Sequence, residues 1–271
     1  MSTKLLIMNM YDNENTVQKS FDDQYLSEDL LQAQWAEFTE LKKAISKIYL
    51  KKGSPLTLLD IGIGSARIAR HLSAIPEMWQ MIENYEGTDN AEACIKLSQA
   101  TAKELNIEDK LKVHLLDAVN LYQLQKKYDL IICTWFTPGN FYPDNFPFNE
   151  YNDSHKRLDL SKNEKFTTIF SNAYSLLHPN GEIILGACYI DNDNTRKKQE
   201  QSYLKMGMKI ITNSNDSFTA TKEQFWSQRF TQEKIKAYLS FVNPKNIQFT
   251  PLDPYDYAMQ IRIKKTLESN G

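Results

Sequence analysis

The sequence predicts an α/β protein in which helices cover both faces of a doubly wound sheet. The first observation is the stretch Leu56–Leu72, where an apolar run is followed by two alternate glycines and then by a helical pattern. This order indicates a buried strand, a tight turn and the start of a helix. The second observation is Tyr128–Thr134, which is apolar almost throughout, as parallel strands buried on both faces are. Strand-like and helical segments alternate along the chain, which favours a mostly parallel sheet.

Size, charge and cysteine content restrict the class of protein. A chain of 271 residues that is 41% hydrophobic fits one large α/β domain, or one such domain with an extension. The net charge of −2 argues against a broad basic surface for nucleic acid. Cys94, Cys133 and Cys188 are far apart without metal-ligand spacing, which predicts a reducing compartment and no bound metal. With neither a signal-peptide pattern nor an apolar run of membrane length, we expect a soluble cytoplasmic protein without a membrane partner.

The first fifth of the chain predicts one long helix. Ser27 followed by two acids favours its start, and Gly53 after two lysines favours its end. Its apolar residues recur at helical spacing and are expected to pack against the sheet: Leu31, Trp35, Phe38, Leu41, Ile45 and Ile48. Tyr11 and Tyr25, in the polar segment before the helix, are candidates either for the core or for a lid that contacts the substrate.

The glycine turn is the first candidate ligand site. Asp60, Gly62 and Gly64 form the pattern acid-x-Gly-x-Gly at the end of the predicted strand, where glycines let a ligand approach the backbone. A dinucleotide site would need Gly or Ala at the sixth position counted from Gly62, and that position holds Arg67. The Gly-Lys-Ser/Thr of a phosphate-binding loop is absent from the sequence as well. Another nucleotide-like ligand and an ordinary strand-to-helix turn both remain open at this point.

A second acidic residue follows at the end of the next predicted strand. Asp89 and Asn90 stand before the helical run Ala91–Leu105, and Asp89 lies 27 positions after Gly62, the separation of one helix and one strand. A carboxylate at this place can accept hydrogen bonds from both ribose hydroxyls of an adenosine ligand. The alternative role is to cap the following helix. After an acid-x-Gly-x-Gly turn, the ribose role is favoured.

Together these features resemble the class I S-adenosylmethionine (SAM) methyltransferases. The match is to their motif I, except that Ala66 stands at the usual third glycine, where we expect a tighter turn. The resemblance implies a seven-stranded mixed sheet with helices on both faces, and SAM as the cofactor. It also implies that Asp117, after the strand Leu111–Leu115, meets the adenine amino group, a polar turn residue being the alternative. The cofactor-binding residues implied are Asp60, Gly62, Gly64, Asp89, Asn90, Asp117, Ala118 and Thr134.

The segment Trp135–Tyr151, after the strand that begins at Tyr128, is dense in aromatic residues, proline and asparagine. Ligands of a doubly wound sheet bind beyond the carboxyl ends of its strands, so a second substrate is expected here. The candidate substrate residues are Trp135, Asn140, Phe141 and Tyr142. Residues 134–137 do not match the Asn/Asp-Pro-Pro-Tyr/Phe of methyltransferases that act on base or amide nitrogens, which disfavours those substrates. A surface loop held by its own aromatic side chains is the alternative.

The second half of the chain continues the alternation. Ser161 and Glu164 form a predicted capping box for a helix over Phe166–Leu177. The turn His178–Gly181 then leads into a strand at Glu182–Leu185, an order that also resembles the methyltransferases. Further helices are predicted at Thr195–Met206 and Thr231–Leu239, and further strands at Ile247–Thr250 and Tyr257–Ile263.

The resemblance implies a domain division and a function. Residues 1–54 are expected to form an N-terminal extension and helix with a candidate lid, and residues 55–271 a methyltransferase domain with a substrate loop at 135–160 and an insertion at 189–217. The expected reaction transfers the methyl group of SAM to a nitrogen or oxygen of a small-molecule acceptor. A nucleic-acid or protein methyltransferase and a non-catalytic SAM-binding protein are the alternatives. No residue is assigned a catalytic role, since His155, flanked by Lys156 and Arg157, fits a solvated position better.

Overall fold

The computed structural model describes residues 28–144, 146–151 and 158–266. Its strands are β1 (Leu56–Ile61), β2 (Ile82–Asp89), β3 (Leu111–Leu115), β4 (Tyr128–Cys133), β5 (Leu177–Tyr189), β6 (Phe218–Ala220), β7 (Trp226–Gln228), β8 (Ile247–Leu252) and β9 (Tyr255–Lys264). Seven of them form one sheet in the order β3-β2-β1-β4-β5-β9-β8. β1 to β5 are parallel, whereas β9 is antiparallel to β5 and β8. The predicted seven-stranded mixed sheet is confirmed, and the β6–β7 hairpin is an unpredicted addition.

Helices cover both faces of this sheet, as predicted. The α-helices are α1 (Glu28–Lys52), α2 (Arg67–Ser73), α3 (Pro76–Gln80), α4 (Glu92–Leu105), α5 (Glu164–Ser175), α6 (Asp193–Lys205) and α7 (Gln232–Tyr238). One core, which includes Phe38, Leu72 and Ala102, joins α1, α2 and α4 to the sheet. The other, which includes Phe170 and Ile235, joins α5 and α7 to it. None of the helices described combines the length and the apolar character needed to cross a membrane.

Both limits of α1 lie within one residue of the predicted ones, and most of its apolar stripe is buried. Leu31 is half-buried, and Trp35 departs most from the prediction, because 56% of its surface is exposed. Its ring lies beside His71 of α2, with 5.0 Å between ring centroids. The expectation that Trp35 packs on the sheet is wrong, because the buried face is turned toward Gln34 and Glu37, two polar residues that the apolar pattern does not mark.

The start of α5 is set by Asn163 and not by the predicted capping box of Ser161 and Glu164. The side-chain oxygen of Asn163 accepts a hydrogen bond from the Phe166 N–H at 3.0 Å. Ser161 instead bonds the side chain two residues before it. The Asn163 amide also donates to the Phe141 carbonyl at 2.8 Å, so a tertiary contact selects this residue over the local pattern.

β5 is much longer than predicted. The expected turn at 178–181 is a distortion inside the strand, where Asn180 adopts a φ of 64° and the register with β4 shifts between Tyr128 and Leu130. Asparagine is one of the residues that tolerate this left-handed conformation. Pairing with β9 extends β5 as far as Tyr189, which brings that ring to the end of the sheet where the candidate site lies.

Candidate active site

The carboxyl ends of β1 and β4 open into one cavity of about 790 Å³. The strand order reverses between these two strands, and such a switch point is where doubly wound sheets bind ligands. Every predicted site residue that the structure describes lines this cavity: Asp60, Gly62, Gly64, Asp89, Asn90, Asp117, Ala118, Thr134, Trp135, Asn140, Phe141 and Tyr142. The other two candidates, Tyr11 and Tyr25, lie outside the described residues.

The glycine turn has a left-handed backbone. Gly62 and Gly64 have φ values of 72° and 55°, and Ala66 follows with 59°. A Cβ on Gly62 would lie 2.7 Å from Thr137 Cγ2, so glycine is needed for the loop after β4 to pack on this turn. The N–H of Ala66 donates to the Ile63 carbonyl at 2.9 Å, which closes the turn directly before α2. Ala66, at the position of the usual third glycine, therefore adopts a left-handed conformation.

Asp89 ties β2 to the glycine turn. Its Oδ2 accepts a hydrogen bond from the Gly64 N–H at 3.1 Å, and its Oδ1 accepts one from the Ala91 N–H, before α4, at 3.0 Å. Burial raises the pKa of Asp89 above its ordinary value, while the backbone hydrogen bonds lower it. The Asn90 N–H and the Cys94 thiol also donate to this carboxylate, which lines the cavity.

Asp60 lies beneath the turn and is almost completely buried. Its Oδ2 accepts a hydrogen bond from the Tyr85 hydroxyl at 2.7 Å, and its Oδ1 has no partner in the part of the chain that the structure describes. Burial raises the pKa of Asp60 to about 7, although the Tyr85 hydrogen bond and the charge of Arg67 lower it. A positive charge in the cavity would favour the ionised form of this carboxyl.

Asp117 and Ala118 reach the cavity from the end of β3. Asp117 Oδ1 accepts a hydrogen bond from the Val119 N–H at 3.1 Å and so starts a short 3₁₀ helix, Ala118–Leu124. The structure thus gives Asp117 the turn role, and its contact with adenine stays a prediction. Thr134 is buried at the end of β4, directly before the aromatic loop.

The two parts of the loop after β4 have different surroundings, one for each role considered: contact with a substrate, and a loop held by aromatic side chains. Its first part, which contains Trp135, Asn140, Phe141 and Tyr142, faces the cavity. Farther along, Phe146, Phe148 and Tyr151 are buried against Phe218 and Trp226 of the β6–β7 hairpin. The rings of Phe146 and Trp226 lie 4.8 Å apart between centroids. The second part therefore holds the loop on the hairpin, and the first part is free to face ligands.

The far wall of the cavity consists of residues that the sequence patterns do not mark. They come from α6, from the hairpin and from the end of the sheet: Tyr189, Tyr203, Met206, Met208, Phe225, Trp226 and Tyr257. β6 and β7 have three residues each, too few for an alternating pattern, and α6 is mostly polar. The signal that points to this wall is the density of aromatic residues between positions 203 and 230.

A family model described as a methyltransferase domain matches residues 52–243. The chain belongs to this methyltransferase family. The matched segment includes the glycine turn, Asp89, Asp117 and the loop after β4. A search of curated proteins found no match.

Solved structures show the same fold at low sequence identity. A SAM-dependent methyltransferase from Clostridium acetobutylicum has a TM-score of 0.54 at 11% identity, over 85% of this chain and 92% of that one. A magnesium protoporphyrin IX methyltransferase from Synechocystis has a TM-score of 0.52 at 13% identity, over 98% and 100%. An amino pentose methyltransferase from Micromonospora echinaspora has 0.51 at 11%, over 85% and 92%.

The methyl donor of this enzyme is SAM, and the residues of the site fit it. The glycine turn and the Asp89 side chain line the cavity side by side, joined by the hydrogen bond from the Gly64 N–H. Asp60, whose Oδ1 has no partner among the described residues, is a carboxyl beneath the turn that suits a positively charged ligand. When bound, SAM supplies a sulfonium methyl group that a nucleophile can accept.

Proposed function

We propose that this methyltransferase transfers the methyl group of SAM to a nitrogen or oxygen of a small-molecule acceptor. The supporting observation is that one cavity contains both parts of such a site. The cofactor half consists of Asp60, Gly62, Gly64, Asp89, Asn90, Asp117, Ala118 and Thr134, at the ends of β1 to β4. The acceptor half consists of Trp135, Asn140, Phe141 and Tyr142, together with Tyr203, Phe225 and Trp226.

Residues of the cofactor half bind different parts of SAM in this proposal. Asp89 accepts hydrogen bonds from the ribose hydroxyls, each worth roughly 1.5–3 kcal/mol because the acceptor is charged. Asp117 and Ala118 contact the adenine. The glycine turn at Gly62 and Gly64, which lines the cavity, receives the methionine part.

The acceptor half favours a planar or cationic compound. Trp135 and Tyr142 are half-buried and line this half, and aromatic rings stack on planar groups and attract cations. Asn140 Oδ1 has no hydrogen-bond partner among the residues described, so this amide is available to orient an acceptor after a small rearrangement. The group that leaves the sulfonium methyl is a neutral thioether, which is a good leaving group, and alignment with exclusion of water supplies much of the rate enhancement.

Cavity size and charge support a small acceptor over nucleic acid or protein. A volume of about 790 Å³ lies within the range of small-molecule sites, roughly 300–1,000 Å³. The net charge of −2 provides little attraction for a polyanion. Two structures of the same fold are named for small acceptors, an amino pentose and magnesium protoporphyrin IX.

The proposal includes a domain division and a location. Residues 1–54 form the extension and residues 55–271 the catalytic domain, with the substrate loop at 135–160 and the insertion at 189–217. The assignment of residues 189–217 as an insertion is supported by α6, because Tyr203 of this helix lines the acceptor half. A cytoplasmic location is supported by three cysteines that are all buried and unpaired.

A screen of metabolite fractions with methyl-labelled SAM tests the function. We expect label in a small molecule and production of S-adenosylhomocysteine in step with it. Label that enters only added RNA or protein would contradict the proposal. A protein that binds S-adenosylhomocysteine tightly in calorimetry but labels nothing would favour the non-catalytic alternative.

A further inference from the structure

A buried carboxylate of α1, Glu37, lies behind the junction of the cofactor half and the acceptor half. It is 0% exposed and stands among the apolar residues of the α1 face that packs on the sheet. A charge in such a place is strongly unfavourable unless its partners compensate for the loss of water. Glu37 precedes the segment 52–243 that the family model matches, so no motif of that model draws attention to it.

Among the described residues, each oxygen of Glu37 has one hydrogen-bond partner, and both partners belong to the cavity wall. Oε1 accepts a hydrogen bond from the backbone N–H of Trp135 at 2.7 Å. Oε2 accepts one from Arg67 Nη2 at 2.5 Å. The guanidinium of Arg67 in turn lies over the Trp135 ring, 5.3 Å from its centroid. One carboxylate thus holds the backbone of Trp135 directly and its ring through Arg67.

Trp135 needs such support because it begins a turn of unusual conformation. Trp135 and Phe136 have φ values of 52° and 60°, which are left-handed. Residues with a Cβ adopt this conformation at an energetic cost, and two in succession persist only where the surroundings hold them. Phe136 is held by a hydrogen bond from its N–H to the Ala187 carbonyl at 3.0 Å and by stacking on Tyr189 at 3.6 Å between centroids. For Trp135, the corresponding bond is the one to Glu37.

The neighbouring strand leaves room for this carboxylate. A Cβ at Gly186 of β5 would overlap the Glu37 side chain, and it would come within 3.0 Å of Thr134 Cγ2. Glycine in the interior of a strand is otherwise unfavourable, and it often marks such a close approach. The small residue on β5, the carboxylate on α1 and the turn after β4 therefore fit together as one arrangement.

We propose that Glu37 is a positioning residue of the methyl-transfer site. By holding Trp135 in the left-handed turn, it sets where Thr137 and Asn140 stand relative to the glycine turn. Thr137 is the residue that occupies the space beside Gly62, so the two loops meet at this point. The effect on the acceptor rests on the proposed function of this loop, whereas the effect on the turn does not.

Hydrogen–deuterium exchange of peptides that span residues 134–140 tests the turn directly. Glu37→Ala removes the acceptor of the Trp135 N–H, and we expect exchange there to become at least tenfold faster. Glu37→Gln keeps an oxygen at that place, and we expect it to restore most of the protection. The control is Glu182→Ala, which removes another buried carboxylate paired with an arginine, Arg262 at 2.6 Å, and should leave this segment unchanged.

A spectroscopic measurement covers the case in which Glu37→Ala does not fold. The emission of Trp135 is obtained as the difference between each protein and its Trp135→Phe derivative. We expect it to shift in Glu37→Gln, because Arg67 loses its charged partner above the ring, and not in Glu182→Gln. Equal exchange at 134–140 in Glu37→Ala and Glu182→Ala overturns the proposal. If Glu37→Ala is unfolded, unchanged Trp135 emission in Glu37→Gln overturns it.

Ligand measurements separate a role in the site from a merely structural one. We expect Glu37→Ala to weaken S-adenosylhomocysteine binding less than threefold in calorimetry and to slow transfer to the acceptor at least tenfold. A loosened turn with unchanged transfer overturns the role in the site. Failure of the proposed function shows separately, as the lack of any labelled small molecule with the unmodified protein. The exchange comparison needs no acceptor and is unaffected by that result.

Discussion

Asp89 shows at the scale of a single residue how a structural contact and a ligand contact share one carboxylate. The hydrogen bonds that it accepts from the Gly64 and Ala91 N–H groups join the glycine turn to the start of α4, and the same side chain faces the cavity. We expect Asp89→Ala to weaken SAM binding at least tenfold, about 1.4 kcal/mol, because charge-assisted hydrogen bonds to the ribose are lost. Calorimetry measures this affinity. Asp89→Asn keeps one acceptor oxygen, so its affinity for SAM should lie between those of the unmodified protein and Asp89→Ala. Unchanged affinity in Asp89→Ala would rule out the ribose role.

Asp60 should make the ligand-free protein less stable as pH rises. Because burial raises its pKa to about 7, from an ordinary value of 3.8, the folded protein keeps a proton that the unfolded chain releases. The free energy of unfolding therefore falls as pH rises between these two values, in full by an amount on the order of 4 kcal/mol. The side chain of Asp60→Asn cannot ionise, so we expect the free energy of unfolding of this variant to decrease less as pH rises.

Urea denaturation between about pH 5.5 and about pH 7.5 measures the effect of Asp60. This window lies above the range in which Glu86 and Asp129 titrate, since their ion pairs and hydrogen bonds lower the pKa of each. Their contributions have the opposite sign, because they are lost as pH falls. The same pH slope in Asp60→Asn and in the unmodified protein would show that Asp60 is already ionised.

At the scale of elements, the loop after β4 should separate acceptor from cofactor. We expect Trp135→Ala and Asn140→Ala to reduce methyl transfer more than SAM binding, because both residues face the acceptor half. Turnover with the identified acceptor and calorimetry with SAM provide the two measurements. Phe148→Leu is the matched control, since Phe148 packs on the hairpin side of the loop and does not line the main cavity. Equal losses of turnover and cofactor affinity would mean that the loop is not an acceptor wall.

The far wall depends on one buried arginine, Arg229. Its Nη1 donates to Gln199 Oε1 at 2.7 Å and to Thr219 Oγ1 at 2.9 Å, and its Nε donates to Asp191 at 3.3 Å. These bonds join α6, the hairpin and the end of β5. We expect Arg229→Met to lower the free energy of unfolding by about 3–5 kcal/mol, because it leaves buried partners unpaired.

An exposed arginine on α2, Arg70, provides the control for the prediction about Arg229. Arg70 pairs with Glu104 at 3.1 Å on the surface, so Arg70→Met should change stability by about 1 kcal/mol or less. Urea denaturation gives both values. If Arg229→Met is no more harmful than Arg70→Met, the insertion does not depend on this network.

The elements that the sequence revealed are those whose signal is local. The glycine turn and Asp89 stand at strand ends, where a few consecutive residues define both the backbone and the chemistry. Asn163, Glu37 and the β6–β7 hairpin were not predictable in this way, because each is selected by a partner far along the chain. Asn163 caps α5 while bonding Phe141, and Glu37 bonds Trp135, 98 positions away.

At the scale of the whole molecule, the chain enters the fold beside the site. Asp29 and Leu30, in the first turn of α1, line the cavity. Lys198 of α6 pairs with Asp29 at 2.8 Å, and the Tyr257 hydroxyl of β9 donates to the Asp29 carbonyl at 2.8 Å. The described structure therefore begins at the cavity edge.

A lid formed by the N-terminal segment, with Tyr11 and Tyr25 over the ligands, remains a prediction that this entry point makes testable. We expect removal of residues 1–26 to leave the fold intact, since α1 is complete without them, and to speed release of S-adenosylhomocysteine at least tenfold in stopped-flow measurements. The control is removal of residues 267–271, because β9 pairs Lys264 with Glu182 at the opposite end of the sheet. Release that is equally fast in both truncated proteins and in the full chain would show that the segment does not cover the cofactor.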